Sequence, residues 1–330
     1  MIKLLTKKNN YLFFLMLSFV FVASCALALS PAGTMVYEKI SKAWPVRALV
    51  SNAISKKEFP PNPVISKDAT FPIFSAQGAL AVDLPSGVTL FEKDADKALL
   101  PASTTKIVTA LVAMGAFNKD DVIEVGKIAI EGQKMGLKKG EKIKVSDLLY
   151  GLLVYSANDA AEALAQNYCA PRSFSEVGLC GRDAFVVAMN NFAQSLHLEN
   201  TNFTNPSGLD GGRNHIVSTA RDLIRVSSYA MKNSEFAKIV ATKEITVKSI
   251  DGKIAHRLVN VNELLGKVPG VLGVKTGWTE NARENLVTYI ERDGHKIMIA
   301  VLGSQDRFGE TKELINWIFA NYSWQEVKLP

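Results

Sequence analysis

The chain has 330 residues, 48% of them hydrophobic and 21% charged, with a formal net charge of +6. This balance suits one large globular domain or two modest ones and excludes a chain disordered throughout. Lys3, Lys7 and Lys8 supply half of the excess, and no Lys/Arg run interleaved with aromatics points to nucleic acid.

Those three lysines precede the apolar run YLFFLMLSFVFVAS, Tyr11 to Ser24. A basic start before an apolar run too short for a stable spanning helix predicts an export segment over residues 1–28. Three outcomes fit its end. Ala26-Leu27-Ala28 offers small residues for cleavage. Val22 to Cys25 is similar to a bacterial lipobox, which would put a lipid on Cys25. An uncleaved segment would anchor the chain at the cytoplasmic membrane. All three place the chain outside the cytoplasm, in the periplasm or cell envelope. Residues 29–72 mix Pro, Ser, Lys and Ala, and Pro60, Pro61 and Pro63 favour an extended linker. We expect one domain over 73–324 and a short tail over 325–330.

QGALAVDL and VTLFEK read as strands around the turn Pro85-Ser86-Gly87. PASTTK follows, Pro101 to Lys106, and opens an apolar run. Ser103 and Lys106, three apart, lie on one face of a helix. Ile107, Val108, Leu111 and Val112 at helical spacing predict a helix buried on most sides. A serine here is an ordinary N-cap; close to the positive end of the helix dipole, it is also a place for a nucleophile. The stretch alone leaves both readings open.

The middle of the chain, about 115–240, reads as a helical insertion. VSDLLYGLLVY leads into SANDAAEALAQ, with Ser156 and Asn158 on the connection and Asp159 and Glu162 patterned like a capping box. Residues 183–196 and 219–232 read as further helices. Cys169 and Cys180 could close a small loop in an oxidising compartment or remain free thiols of a surface insert. The four histidines are scattered without metal-ligand spacing, so we expect no metal and no cofactor.

Strand signals return near Lys243. EITVKSIDGKIAHRLVN is a hairpin turning at Asp251-Gly252, GVLGVKTGW is a strand carrying Lys275, Thr276 and Gly277, and NLVTYIERDGHKIMIAVLG is a hairpin turning at Asp293-Gly294. An amphipathic helix closes the chain. Strands at both ends around a helical middle predict an α/β (α+β) fold, one antiparallel sheet flanked by helices.

Ser-x-x-Lys, Ser-x-Asn and Lys-Thr-Gly each occur once, in that order, at Ser103, Ser156 and Lys275. With the stretches around them, over residues 77–322, the chain resembles the serine-type D-Ala-D-Ala carboxypeptidases among the low-molecular-mass penicillin-binding proteins, relatives of the class A β-lactamases. The resemblance implies a β-lactamase/transpeptidase-like fold. It also implies removal of the terminal D-alanine from peptidoglycan stem peptides through an acyl-enzyme, with β-lactams acylating the same serine. It gives Ser103 as nucleophile, Lys106 as base and Ser156 as proton relay to the leaving amine. Asn158 would hold the peptide amide, and the N–H groups of Ser103 and Trp278 would form the oxyanion hole. Lys275, Thr276 and, by spacing, Arg307 would bind the terminal carboxylate. Ser207 and Trp278 depart from the histidines that relatives often carry there. A class A β-lactamase would add a Glu-x-x-Leu-Asn stretch between Asn158 and Lys275, and none occurs. A D,D-endopeptidase or a non-catalytic wall-binding relative would share the motifs.

Overall fold

Continuous apolar runs, buried on both faces, set the main sheet at the centre of the architecture. The computed structural model describes residues 59–170, 179–210 and 216–327. The export segment, Cys25 and the first part of the linker lie outside them. In chain order the strands before the helices are β1 (Asn62–Ile65), β2 (Gly78–Asp83) and β3 (Thr89–Lys93). A 3-10 turn (Ala102–Thr105) leads into α1 (Lys106–Ala116), the short strands β4 (Val122–Glu124) and β5 (Lys142–Lys144), α2 (Val145–Leu153), α3 (Asn158–Gln166) and α4 (Arg182–Ser195). Then come α5 (Ala220–Ala230), α6 (Ser234–Val240), β6 (Glu244–Lys248), β7 (Ala255–Val259), β8 (Val271–Thr279), β9 (Arg283–Arg292), β10 (His295–Ser304), α7 (Arg307–Asn321) and β11 (Tyr322–Gln325).

Five antiparallel strands form the main sheet in the order β3-β2-β10-β9-β8. Central β10 is apolar on both sides because both faces are covered. Ile297, Ile299 and Val301 meet Leu314, Ile315 and Ile318 of α7, while Met298, Ala300 and Leu302 join the helical cluster of α1, α2, α3 and α5. The register of β9 on β10 is fixed by Asp293 and Gly294, with φ of 53° and 79°, the left-handed pair that a tight two-residue hairpin turn requires. The outcome for the site is that β8 ends the sheet and leaves its outer edge toward the head of α1. Residues 106–113 of α1 are all buried, so this helix is the axis of the helical half.

Three expectations are corrected. Residues 62–65 of the expected linker form β1, paired with β11, where Pro63 is tolerated because the pair is an isolated ribbon. The β6-β7 hairpin does not join the main sheet. It pairs only with itself and turns Val247 and Leu258 into the helical cluster, since a half-buried strand pattern reports one apolar face and not its neighbour. The helical insertion also contains the β4-β5 ribbon.

Cys169 and Cys180 are joined by a disulfide across an 11-residue separation, with Cα atoms 4.0 Å apart. The bond ties the end of α3 to the start of α4, where Tyr168 packs edge-on against buried Phe185 at 5.3 Å. Replacing both cysteines by serine should lower the stability of unfolding by about 2–3 kcal/mol, the chain-entropy expectation for a loop of this size. Urea unfolding of the oxidised protein and the double variant measures it; superimposable curves would refute a stabilising role.

Candidate active site

Ser103 sits on the 3-10 turn directly before α1. Neither the turn nor α1 has a side-chain cap, so the hydroxyl is not used as an N-cap. It faces Lys106, whose Nζ donates to Ser103 Oγ at 2.8 Å. The same amine donates to Asn158 Oδ1 and to the Ser207 carbonyl, each at 2.7 Å. Lys106 is completely buried. Three acceptors satisfy an ammonium in this interior. A neutral amine keeps two of them, Asn158 Oδ1 and Ser207 O, and turns its lone pair to the Ser103 hydroxyl proton. Both protonation states are therefore accommodated without an orphaned hydrogen. Burial pushes the Lys106 ammonium well below the usual lysine range, the Lys275 charge adds to the shift, and the Asp159 carboxylate opposes it.

Asn158 opens α3. Its Nδ2 donates to Glu131 O at 2.8 Å and its own N–H to Gln133 O at 2.7 Å. Expected to hold substrate, it also accepts from the Lys106 amine. Asp159 and Glu162 do not form a capping box. Ala157 occupies the N-cap without a side-chain bond, Glu162 pairs with Arg182, and Asp159 accepts the N–H groups of Met135, Gly136 and Leu137 at 2.8–3.0 Å. Three loop donors bind a carboxylate more strongly than one helix donor would. The loop 131–137 is thereby fastened beside the cleft. Ser156 stands just before, with φ of 61°, a left-handed conformation costly for a non-glycine residue. Among the described residues its hydroxyl makes no hydrogen bond.

On the opposite wall runs β8. Lys275 is buried, with Nζ 3.0 Å from Thr276 O. Burial, then the Arg307 charge, pushes its ammonium down to about 7. A Cβ on Gly277 would lie 2.9 Å from Pro101 O and 3.1 Å from Ser103 N, so only glycine lets this strand pass the Ser103 turn so closely. Arg307, the first residue of α7, donates from Nη1 to Gly277 O at 3.0 Å. Trp278 is 61% exposed. Ser103, Ser156, Asn158, Thr276, Gly277, Trp278 and Arg307 line a single cavity of about 570 Å³, closed on another side by Glu131, Gly132, Gln133 and Leu209. Lys106 and Lys275 are buried and do not line it, but Lys106 is bonded to Ser103 and Asn158, which do.

A model of the D-alanyl-D-alanine carboxypeptidase family matches residues 65–306. The chain belongs to that family. The D-alanyl-D-alanine carboxypeptidase DacB2 of Mycobacterium tuberculosis is 36% identical over 253 residues, 74% of this chain and 82% of that protein. A D-alanyl-D-alanine carboxypeptidase of Streptomyces sp. strain K15 is 35% identical over 266 residues, 76% and 89% of the two chains. The crystal structure of the Streptomyces K15 DD-transpeptidase gives a TM-score of 0.68 at 35% identity, over 76% of this chain and 99% of that one. As a D-alanyl-D-alanine carboxypeptidase family member, this protein carries the expected antiparallel sheet with flanking helices. Sequence reasoning missed the Ser207 carbonyl and the Asp159 clamp. NPSG signalled a turn there, but no local pattern shows which way a carbonyl points.

The buried lysines predict a pH-dependent gain in stability. Lys275 titrates near about 7 when folded and near the ordinary lysine value of about 10.4 when unfolded. Unfolding thus takes up a proton between those values. The penalty that Lys275 places on the folded state is full below the lower value and vanishes above the upper one. Lys275→Met should therefore raise the melting temperature much more at about pH 6 than at about pH 10. Thermal melts at both pH values check it, and equal gains would contradict the assignment.

Proposed function

We propose that this protein is a serine-type D-Ala-D-Ala carboxypeptidase. The observation that carries the reading is the Lys106 amine, dry and 2.8 Å from Ser103 Oγ. Neutral Lys106 takes the hydroxyl proton as Ser103 Oγ bonds to the carbonyl carbon of the penultimate D-alanine. The N–H groups of Ser103 and Trp278 receive the developing oxyanion. As the C–N bond breaks, Lys106 returns the proton through Ser156 to the departing D-alanine amine. Water then hydrolyses the acyl-Ser103 ester, with Lys106 again as base.

Cationic groups at one end of the cleft fit a substrate that ends in a free carboxylate. Thr276 and Arg307 supply a hydroxyl and a positive charge there, buried Lys275 adds a second charge when protonated, and Asn158 Nδ2 has a second hydrogen for the substrate amide. A β-lactam presents the same carboxylate and a strained amide. Its leaving nitrogen stays tethered after ring opening, so the acyl-enzyme persists. The proposed substrate is peptidoglycan stem peptide, which places the site outside the cytoplasmic membrane, delivered by the segment 1–28 and held there by that segment or a lipid on Cys25. No helix of the described residues is long and apolar enough to cross a membrane. We propose 73–324, extended by the β1-β11 ribbon, as the catalytic domain. The residual N-terminal segment 29–58 serves as its tether.

Ser103→Ala should abolish labelling by fluorescent penicillin and release of D-alanine from a pentapeptide. Undiminished labelling would overturn the nucleophile. Lys106→Ala should slow acylation by about 10²–10⁴, the range for removing a general base, without loss of folding. Product analysis on purified muropeptides separates D-alanine release from cleavage of cross-links, the endopeptidase reaction open to the same site. Acylation without any product release would mark a wall-binding relative instead.

A further inference from the structure

We propose that Asn205 is a positioning residue for the proton-accepting amine of Lys106: it holds the turn that presents the Ser207 carbonyl to that amine. The proposal rests on the reading of Ser103 and Lys106 as nucleophile and base. Asn205 is buried, and among the described residues all of its side-chain hydrogen bonds fall within its own turn. Oδ1 accepts from the N–H of Gly208 at 2.7 Å, the N–H of Ser207 at 3.1 Å and the Ser207 hydroxyl at 3.0 Å. Nδ2 donates to Leu209 O at 2.8 Å. One amide thus fixes the backbone on both sides of Ser207, in the manner of an Asx turn.

The turn docks on the catalytic segment at three points. Ser207 O accepts from Lys106 Nζ at 2.7 Å, and Pro206 O accepts from Thr109 Oγ1 at 2.7 Å. Gly208 has φ of 83°, and a Cβ there would lie 1.9 Å from Ala102 O, so the turn is seated against the residue before Ser103. The contacts bracket the nucleophile and base. With the Ser207 carbonyl fixed, a neutral Lys106 spends its two hydrogens on Ser207 O and Asn158 Oδ1, and its lone pair has one direction left, toward Ser103 Oγ. With the carbonyl free to turn away, the amine can rotate about its bond to Asn158 and the lone pair is no longer aimed. The ammonium form loses an acceptor at the same time, which makes it release its proton more readily. The charged groups that bear on Lys106 are Lys275 and Asp159, with Arg307 behind Lys275, and a neutral substitution at Asn205 leaves all three in place.

The test is the pH profile of penicillin acylation in the wild type, Asn205→Ala and Asn205→Thr. A threonine hydroxyl can accept the same turn N–H groups in an ST turn, whereas alanine cannot. Asn205→Ala should lose roughly tenfold or more of its maximal acylation rate, a part of the general-base contribution, with its acid limb moved to lower pH. Asn205→Thr should stay within about threefold of the wild type, with the limb unmoved. A folded Asn205→Ala variant with the wild-type rate, or with a slower rate and an unmoved limb, would overturn the positioning role. Should the alanine variant fail to fold, the threonine variant decides: a loss beyond about tenfold overturns the role, because the acceptor is retained. A wild-type protein that penicillin does not acylate would overturn the nucleophile reading and this proposal together, whereas wild-type acylation with either failure above overturns only Asn205.

Discussion

Lys106 Nζ lies in the protein interior with an oxygen on each of its three hydrogen positions, and most of the cleft can be traced to that requirement. An unpaired buried charge would cost many kcal/mol, and an unpaired amine hydrogen several. The acceptors come from three directions: Ser103 from its own turn, Asn158 from α3, and Ser207 from the turn between α4 and α5. The helical half must close around α1 for these to meet. Its packing thereby creates the low-polarity surroundings that depress the amine and supplies the groups that aim it.

The sheet contributes the other wall, by an arrangement of edges. β8 is the last strand of the main sheet, so its outer edge is available to face Ser103. The approach is close enough that Gly277 admits no side chain. Strain collects around the same point. Ala102 and Ser156 both hold left-handed backbone, with φ of 48° and 61°, and the packed helices around them hold them there. Asp159 reinforces this by trading a helix cap for three loop N–H groups. The segment that walls the cleft is thus fixed by the helix that carries Asn158.

Much of this was legible in the chain. The Asp293-Gly294 turn fixed the β9-β10 hairpin because two successive left-handed residues leave few alternatives. The apolar spacing after Lys106 marked α1, and three ordered motifs nominated Ser103, Ser156, Asn158, Lys275 and Thr276 for one cleft. Less visible were the relations between segments. The β6-β7 hairpin carried a correct local signal and an incorrect neighbour, since alternation records burial of one face only. Asp159 and Glu162 had the spacing of a capping box, but stronger partners lay outside the helix. Asn205 looked like any turn residue.

The amino-acid sequence by itself determined the chemical inventory: a serine and a lysine one helical turn apart, an asparagine at a helix start, a lysine and glycine on a strand, and the turns that order the hairpins. These follow from interactions between near neighbours, which a linear pattern records. The tertiary structure alone decided what that inventory can do. Two of the three acceptors that hold Lys106 lie 52 and 101 residues away along the chain. Whether an amine is dry, how far its proton affinity falls and where its lone pair points are properties of its surroundings, and those surroundings exist only once distant segments have packed.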